Sequence, residues 1–95
     1  MKILIIDDSL IARKTMGFTV EALGYETLKA STGEEGLEAL AEHSNDVALV
    51  LLDWNMPGLS GLDVLVKMQK DPGFCDIPVM MVTTEVERES MIRAI

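Results

Sequence analysis

Apolar residues follow two rhythms along this chain of 95 residues. Residues 2–6, 47–52 and 77–82 are short, nearly continuous apolar runs, and 25–30 is a weaker, edge-like one; together they predict four strands. Pro78 is tolerated because it stands at the beginning of its run. Between the runs the spacing lengthens to that of a helix. Residues 9–23 carry Ile11, Thr15, Phe18 and Ala22 on one stripe beside Ala12, Met16 and Leu23, which predicts an amphipathic helix stopped by Gly24. Thr32 and Glu35 form a capping-box pair ahead of Leu37, Leu40 and Ala41. Residues 60–70 place Leu62, Leu65, Val66 and Met68 on a third helical face, and KDPGF breaks it. Residues 85–95 begin a fourth helix.

Strands that alternate with helices and are apolar on both faces predict a parallel sheet covered on each side. Right-handed crossovers bring every strand's C-terminal end to one edge, and open sheets of this class bind ligands in the crevice outside those ends. Three runs end there on polar groups: Asp7 and Asp8, then Asp53, then Thr83 and Thr84. Carboxylates gathered this closely either protonate in part or hold a cation. An oxygen-only donor set with room for water suits Mg²⁺, and no Cys/His spacing offers a site for a softer metal. Asn55, two residues beyond Asp53, can offer its backbone carbonyl to the same ion. A carboxylate beside such an ion and a Thr hydroxyl suits phosphoryl transfer, with Asp53 as nucleophile and Thr83 as donor.

Each group has a plainer reading when taken alone. Asp7, Asp8 and Ser9 can cap the first helix, Asp53 can form the turn before NMPG, and Thr83 with Thr84 can cap the helix that follows. The conjunction of three strand ends favours a common site.

Sixteen acidic against eight basic side chains give a net charge of -8, which repels phosphate backbones and argues against nucleic-acid binding. Surplus Glu also serves solubility. A single cysteine, Cys75, excludes an intrachain disulfide and points to a reducing compartment. No run reaches membrane-spanning length and the N-terminus lacks the pattern of a signal peptide, so the expected location is the cytoplasm. The seven Met residues fall mostly on apolar faces as core filler, and His43 reads as a solvated residue near a helix end. The turn after the first strand, IIDDSLIARK, has no glycine, which disfavours dinucleotide binding.

The stretches IIDDS, LLDWNMPGLSG and VMMVTTE together resemble the receiver domain of bacterial two-component response regulators, and in motif the chemotaxis-type single-domain regulators most. The resemblance runs the length of the chain. Its combination of motifs is specific: an acid pair ending the first strand, Asp-x-x-Met-Pro-x-x-x-Gly after the third, and Thr ending the fourth. It implies a flavodoxin-like (CheY-like) doubly wound sheet; the strand order 2-1-3-4-5 is known for chemotaxis regulators and is not read from these residues. It further implies that Asp53 accepts a phosphoryl group from a histidine kinase, that Asp7, Asp8, Asp53 and the Asn55 carbonyl hold Mg²⁺, and that Thr83 is the switch hydroxyl. Such a protein is a self-assisting phosphoacceptor and conformational switch, not an enzyme acting on a separate substrate.

Members of that family continue through a fifth strand bearing a Lys, an aromatic switch residue and a final helix, whereas this sequence stops within its fourth helix. The resemblance thus implies a receiver over 1–95 that is incomplete at its C-terminus, with weaker phosphoryl transfer for want of that Lys. It also leaves the uncharged 77–82 strand as an open edge, which predicts a homo-oligomer. Two alternatives stand beside the signalling receiver: a phosphorylation-impaired, self-associating module, and a Mg²⁺-dependent phosphohydrolase. The second is weakened because Asn55 occupies the place of its general acid. The downstream target is not specified.

Overall fold

The computed structural model describes residues 1–82, so the expected helix over 85–95 and the hydroxyls of Thr83 and Thr84 lie outside the described residues. Seven elements alternate: β1 (Lys2–Ile6), α1 (Leu10–Ala22), β2 (Glu26–Ala30), α2 (Gly33–His43), β3 (Val47–Asp53), α3 (Gly61–Lys70) and β4 (Val79–Val82). The four strands make one parallel sheet in the order β2-β1-β3-β4. The continuous apolar runs reflect that arrangement, since both faces of a parallel sheet carry helices.

On one face Leu4, Ile6, Val50 and Leu52 pack with Leu40 of α2 and with Val64 and Met68 of α3, all essentially without exposure. Each such side chain contributes roughly 1.5–3 kcal/mol through burial. Gly36 lets α2 lie directly on Ile6, where any Cβ would collide with the isoleucine side chain. The other face is covered by α1, which packs over β1 and β2.

Helix α1 departs from the expected stripe. Ile11 is 79% and Phe18 77% exposed, and Leu23 is also exposed, while the buried residues are Gly17 and Val20. A Cβ on Gly17 would stand 2.7 Å from Cε of Lys29, whose stem runs beneath the helix. The inward line passes through Gly17 and Val20, and the bulky residues of the periodic pattern turn outward. The stop itself is as expected: Gly24 has φ +93° and its N–H donates to the Glu21 carbonyl at 2.9 Å.

Two caps also refine the reading. Thr32 Oγ1 accepts from the Glu35 N–H at 3.1 Å, but the Glu35 carboxylate accepts from the N–H and hydroxyl of Ser31, one residue before the cap, each at 2.9 Å. The fully reciprocal box belongs to α3, between Ser60 and Asp63. Finally, β4 begins at Val79, two residues later than expected. Pro78 has no N–H to give to the ladder, though its carbonyl accepts from the Val50 N–H at 3.0 Å, and the Ile77 N–H closes a turn onto Phe74.

Candidate functional site

Register brings the acids together. Ile6 of β1 pairs with Leu52 of β3, so the next residues on these adjacent strands, Asp7 and Asp53, emerge side by side at the C-terminal edge. Asp53 in turn pairs with Val82, which sets the end of β4 against the same point. Both aspartates are buried, at 6% and 7% exposure, whereas Asp8 is exposed. One carboxylate oxygen from each of Asp7, Asp8 and Asp53 lies within 4.8 Å of the others.

The turn from β1 into α1 is braced from several sides. The Asp7 N–H donates to the Ala30 carbonyl at 3.1 Å, extending the ladder one step past β1. Oδ1 of Asp7 accepts from the Ser9 N–H at 2.9 Å. Ser9 Oγ accepts from the Ala12 N–H at 3.2 Å and so caps α1. The plainer reading of this stretch is thus satisfied by Ser9, and it leaves the acids to face the crevice. The Asp7 carbonyl accepts from Nη1 of Arg13 at 2.7 Å.

The loop after β3 is held as firmly. Met56 is buried in the core beneath the α2 and α3 helices, which pins the loop from below. Gly58 adopts φ +75°, the left-handed conformation a tight turn requires. The Gly61 N–H donates to the Trp54 carbonyl at 3.1 Å, and Gly61 passes so near the Asp53 main chain that a Cβ there would strike the Asp53 carbonyl oxygen.

The donor set fits a hard divalent ion. Adjacent ligands of an octahedral Mg²⁺ ion stand about 2.9 Å apart and opposite ones about 4.2 Å at its usual bond length, so three oxygens within 4.8 Å can reach one ion by moving inward. The cluster contains neither His nor Cys: His43 ends α2, pairing with Glu42 at 3.7 Å, and Cys75 is exposed elsewhere. A cavity of ≈ 560 Å³ opens over the acids; its described lining includes Asp7, Asp8, Asp53, Asn55, Ile11 and Val82. Asn55 is therefore at the site, and Thr83 lies outside the described residues. At the neighbouring rim the Glu35 carboxyl is held below its ordinary value, first by the Ser31 N–H, then by the Ser31 hydroxyl, and less strongly by the charge of Arg13.

Arg13 escapes a reading of the sequence, where it looks like one more polar position on a helix. Met56 and Gly61 stand in the Asp-x-x-Met-Pro-x-x-x-Gly motif, but the burial of the one and the close passage of the other along the Asp53 main chain do not show there.

The family model described as the response regulator receiver domain matches residues 3–95. The chain belongs to the response regulator receiver family. It is 40% identical to chemotaxis protein CheY1 of Helicobacter pylori strain 26695, covering 100% of this chain and 77% of that protein. It is 38% identical to chemotaxis protein CheY of Pseudomonas aeruginosa, covering 99% of this chain and 75% of that one. Among solved structures, a response regulator receiver domain protein from Clostridium thermocellum superposes with a TM-score of 0.84 at 34% identity, covering 98% of this chain and 72% of that chain. Chemotaxis protein CheY4 of Vibrio cholerae superposes with a TM-score of 0.81 at 26% identity, covering 98% and 78%. The receiver fold, flavodoxin-like with a parallel sheet, is thereby shown for this chain, and it is similar in sequence to proteins named for chemotaxis. Among the described residues, no helix of this receiver is long and apolar enough to cross a membrane.

Proposed function

We propose that this receiver accepts a phosphoryl group on Asp53 from the phosphohistidine of a histidine kinase in the cytoplasm, in a Mg²⁺-dependent step, and acts as a switch for a downstream partner. The observation that carries the proposal is the register of Ile6 with Leu52, which makes Asp7 and Asp53 neighbours at a sheet edge already crowded by Asp8. A buried carboxylate at the floor of an open cavity is a positioned nucleophile. One oxygen of Asp53 bonds to phosphorus as the phosphorus–nitrogen bond of the donor breaks, and its electron pair returns to the imidazole, which takes up a proton. The product is an acyl phosphate on Asp53.

Asp7, Asp8, Asp53 and the carbonyl of Asn55 are the groups that would hold the ion, and when bound it supplies positive charge to the phosphoryl oxygens. The chain's own share is placement. The ladder bond to Ala30 and the Ser9 N–H fix Asp7, while the buried Met56 and the closely passing Gly61 fix the start of the loop after Asp53. The proposed switch hydroxyl is Thr83, which follows Val82, the register partner of Asp53. On this reading the protein is a phosphoacceptor and not an enzyme with a separate substrate.

Incubation with Mg²⁺ and acetyl phosphate, followed by intact-mass measurement, tests this. Wild type is expected to gain one phosphoryl group, and Asp53→Ala and a chelated sample to gain none. Equal uptake by Asp53→Ala would refute the assignment.

A second reading, self-association, is favoured by one observation: β4 is the outer strand of the sheet among the described residues, and Met80 on it is 56% exposed. An uncharged strand edge pairs readily with another chain. Light scattering over a wide concentration range tests it, and an invariant monomer mass would reject it.

A further inference from the structure

We propose that Arg13 is a positioning residue for the acid pocket, setting through the Asp7 carbonyl the direction in which Asp8 is presented to the divalent ion. The inference rests on the Mg²⁺ site described above and deepens it.

The three acids are not held alike. Asp53 is the last residue of a strand paired on both sides, and Asp7 is tied by its own N–H and by its carboxylate. Asp8 is exposed and, among the described residues, its side chain makes no hydrogen bond. Its place in the cluster is therefore decided by the backbone that carries it. That backbone begins with the peptide unit joining Asp7 to Asp8, a rigid plane containing the Asp7 carbonyl and the Asp8 nitrogen. Rotation of this plane swings the Asp8 Cα and its carboxylate.

Arg13 grips the plane. Its Nη1 donates to the Asp7 carbonyl at 2.7 Å, a short, charge-assisted bond made from a helix across a partly buried gap. Removal of the guanidinium would leave that carbonyl without this partner in a place water reaches poorly. The same guanidinium lies close enough to Glu35 for its charge to be felt there, so it sits between α1, the β1 terminus and the start of α2. Groups that orient a ligand without touching the ion commonly matter about ten- to a hundredfold in affinity.

The sign of the effect separates positioning from simple electrostatics. A cation beside a cation site opposes binding, so by field alone the loss of Arg13 would tighten Mg²⁺. Positioning demands the reverse. Lys14, the adjacent cation on α1, is exposed and makes no bond to Asp7, so it serves as the charge control.

The experiment is calorimetric titration of the full chain with MgCl₂, with fluorescence of Trp54 beside Asp53 as a second readout and urea unfolding as a check on folding. Arg13→Met, which keeps a long apolar stem, is expected to weaken Mg²⁺ about tenfold at an unchanged cooperative transition. Arg13→Lys, which keeps the charge and one donor but loses the fork, is expected to weaken it about threefold and covers the case in which the Met variant fails to fold. Lys14→Met is expected to bind as wild type or slightly tighter. Unchanged or tighter binding by either Arg13 variant would overturn the proposal, as would equal weakening by Lys14→Met. Failure of wild type itself to bind Mg²⁺ would overturn the metal site as well, which separates the two failures.

Discussion

The two faces of the sheet use the same strands to different effect. Under α2 and α3, Leu4, Ile6, Val50 and Leu52 interlock with Leu40, Val64 and Met68, and water is excluded from the two central strands. Under α1, Ile3 and Ile5 are buried, yet Met80 at the far side of the same face stands 56% exposed and the helix turns Ile11 and Phe18 to solvent. The closed face anchors Asp7 and Asp53, each following a fully buried residue, Ile6 or Leu52. The open face supplies Asp8, Ser9 and Arg13 from the turn into α1. The pocket thus has a close-packed half that fixes Asp53, the proposed nucleophile, and a half whose geometry is set by a few polar bonds.

The difference between the faces can be attacked directly. Leu52→Ala on the closed face is expected to cost about 2–5 kcal/mol in urea unfolding, because its neighbours cannot collapse into the space left behind. A loss near zero would mean that this face is not close-packed. Phe18→Ser on the open face is expected to change stability by no more than about 0.5 kcal/mol, since the ring buries little surface. If α1 takes part in self-association, the same substitution lowers the apparent mass in light scattering, and an unchanged mass removes α1 from any such contact.

The smallest effect concerns acid pH. The Glu35 carboxyl lies below its ordinary value of 4.5, chiefly through the Ser31 N–H and hydroxyl. A carboxyl lowered on folding stabilises the protein fully above its unfolded value and loses that contribution as pH falls through its folded value. Glu35→Gln is therefore expected to flatten the decline of stability slightly below about pH 5, measured as urea midpoints at successive pH values. Asp46, lowered mainly by its hydrogen bond with Lys2, acts in the same sense and persists in the variant, so only the difference between the two proteins carries the test. Parallel curves would show that the Ser31 contacts do not bear on folding.

Most of the architecture was legible because strand and helix spacing report burial directly. The strands and helices of the described residues lie where the apolar rhythm put them, within a residue or two, and Asp7, Asp8 and Asp53 converge as the strand-end argument requires. The misreadings share a cause. The stripe expected to face inward on α1, with Ile11 and Phe18, assumed that large apolar residues go inside, whereas the helix turns Gly17 and Val20 inward. The cap on α2 assumed that Glu35 returns to Thr32, whereas Ser31 offers both an N–H and a hydroxyl.

The sequence by itself determined the order of elements, the parallel class of the sheet and the identity of the acids at its edge, because each depends on periodicity or on what lies at the end of a run. It also carried the family, through motifs spread across the chain. Only the tertiary structure decided which face of α1 is buried, that Asp7 and Asp53 are register neighbours, and that Arg13 reaches the Asp7 carbonyl. Those facts depend on how elements settle against one another in space, and that leaves no periodic trace in the order of the amino acids.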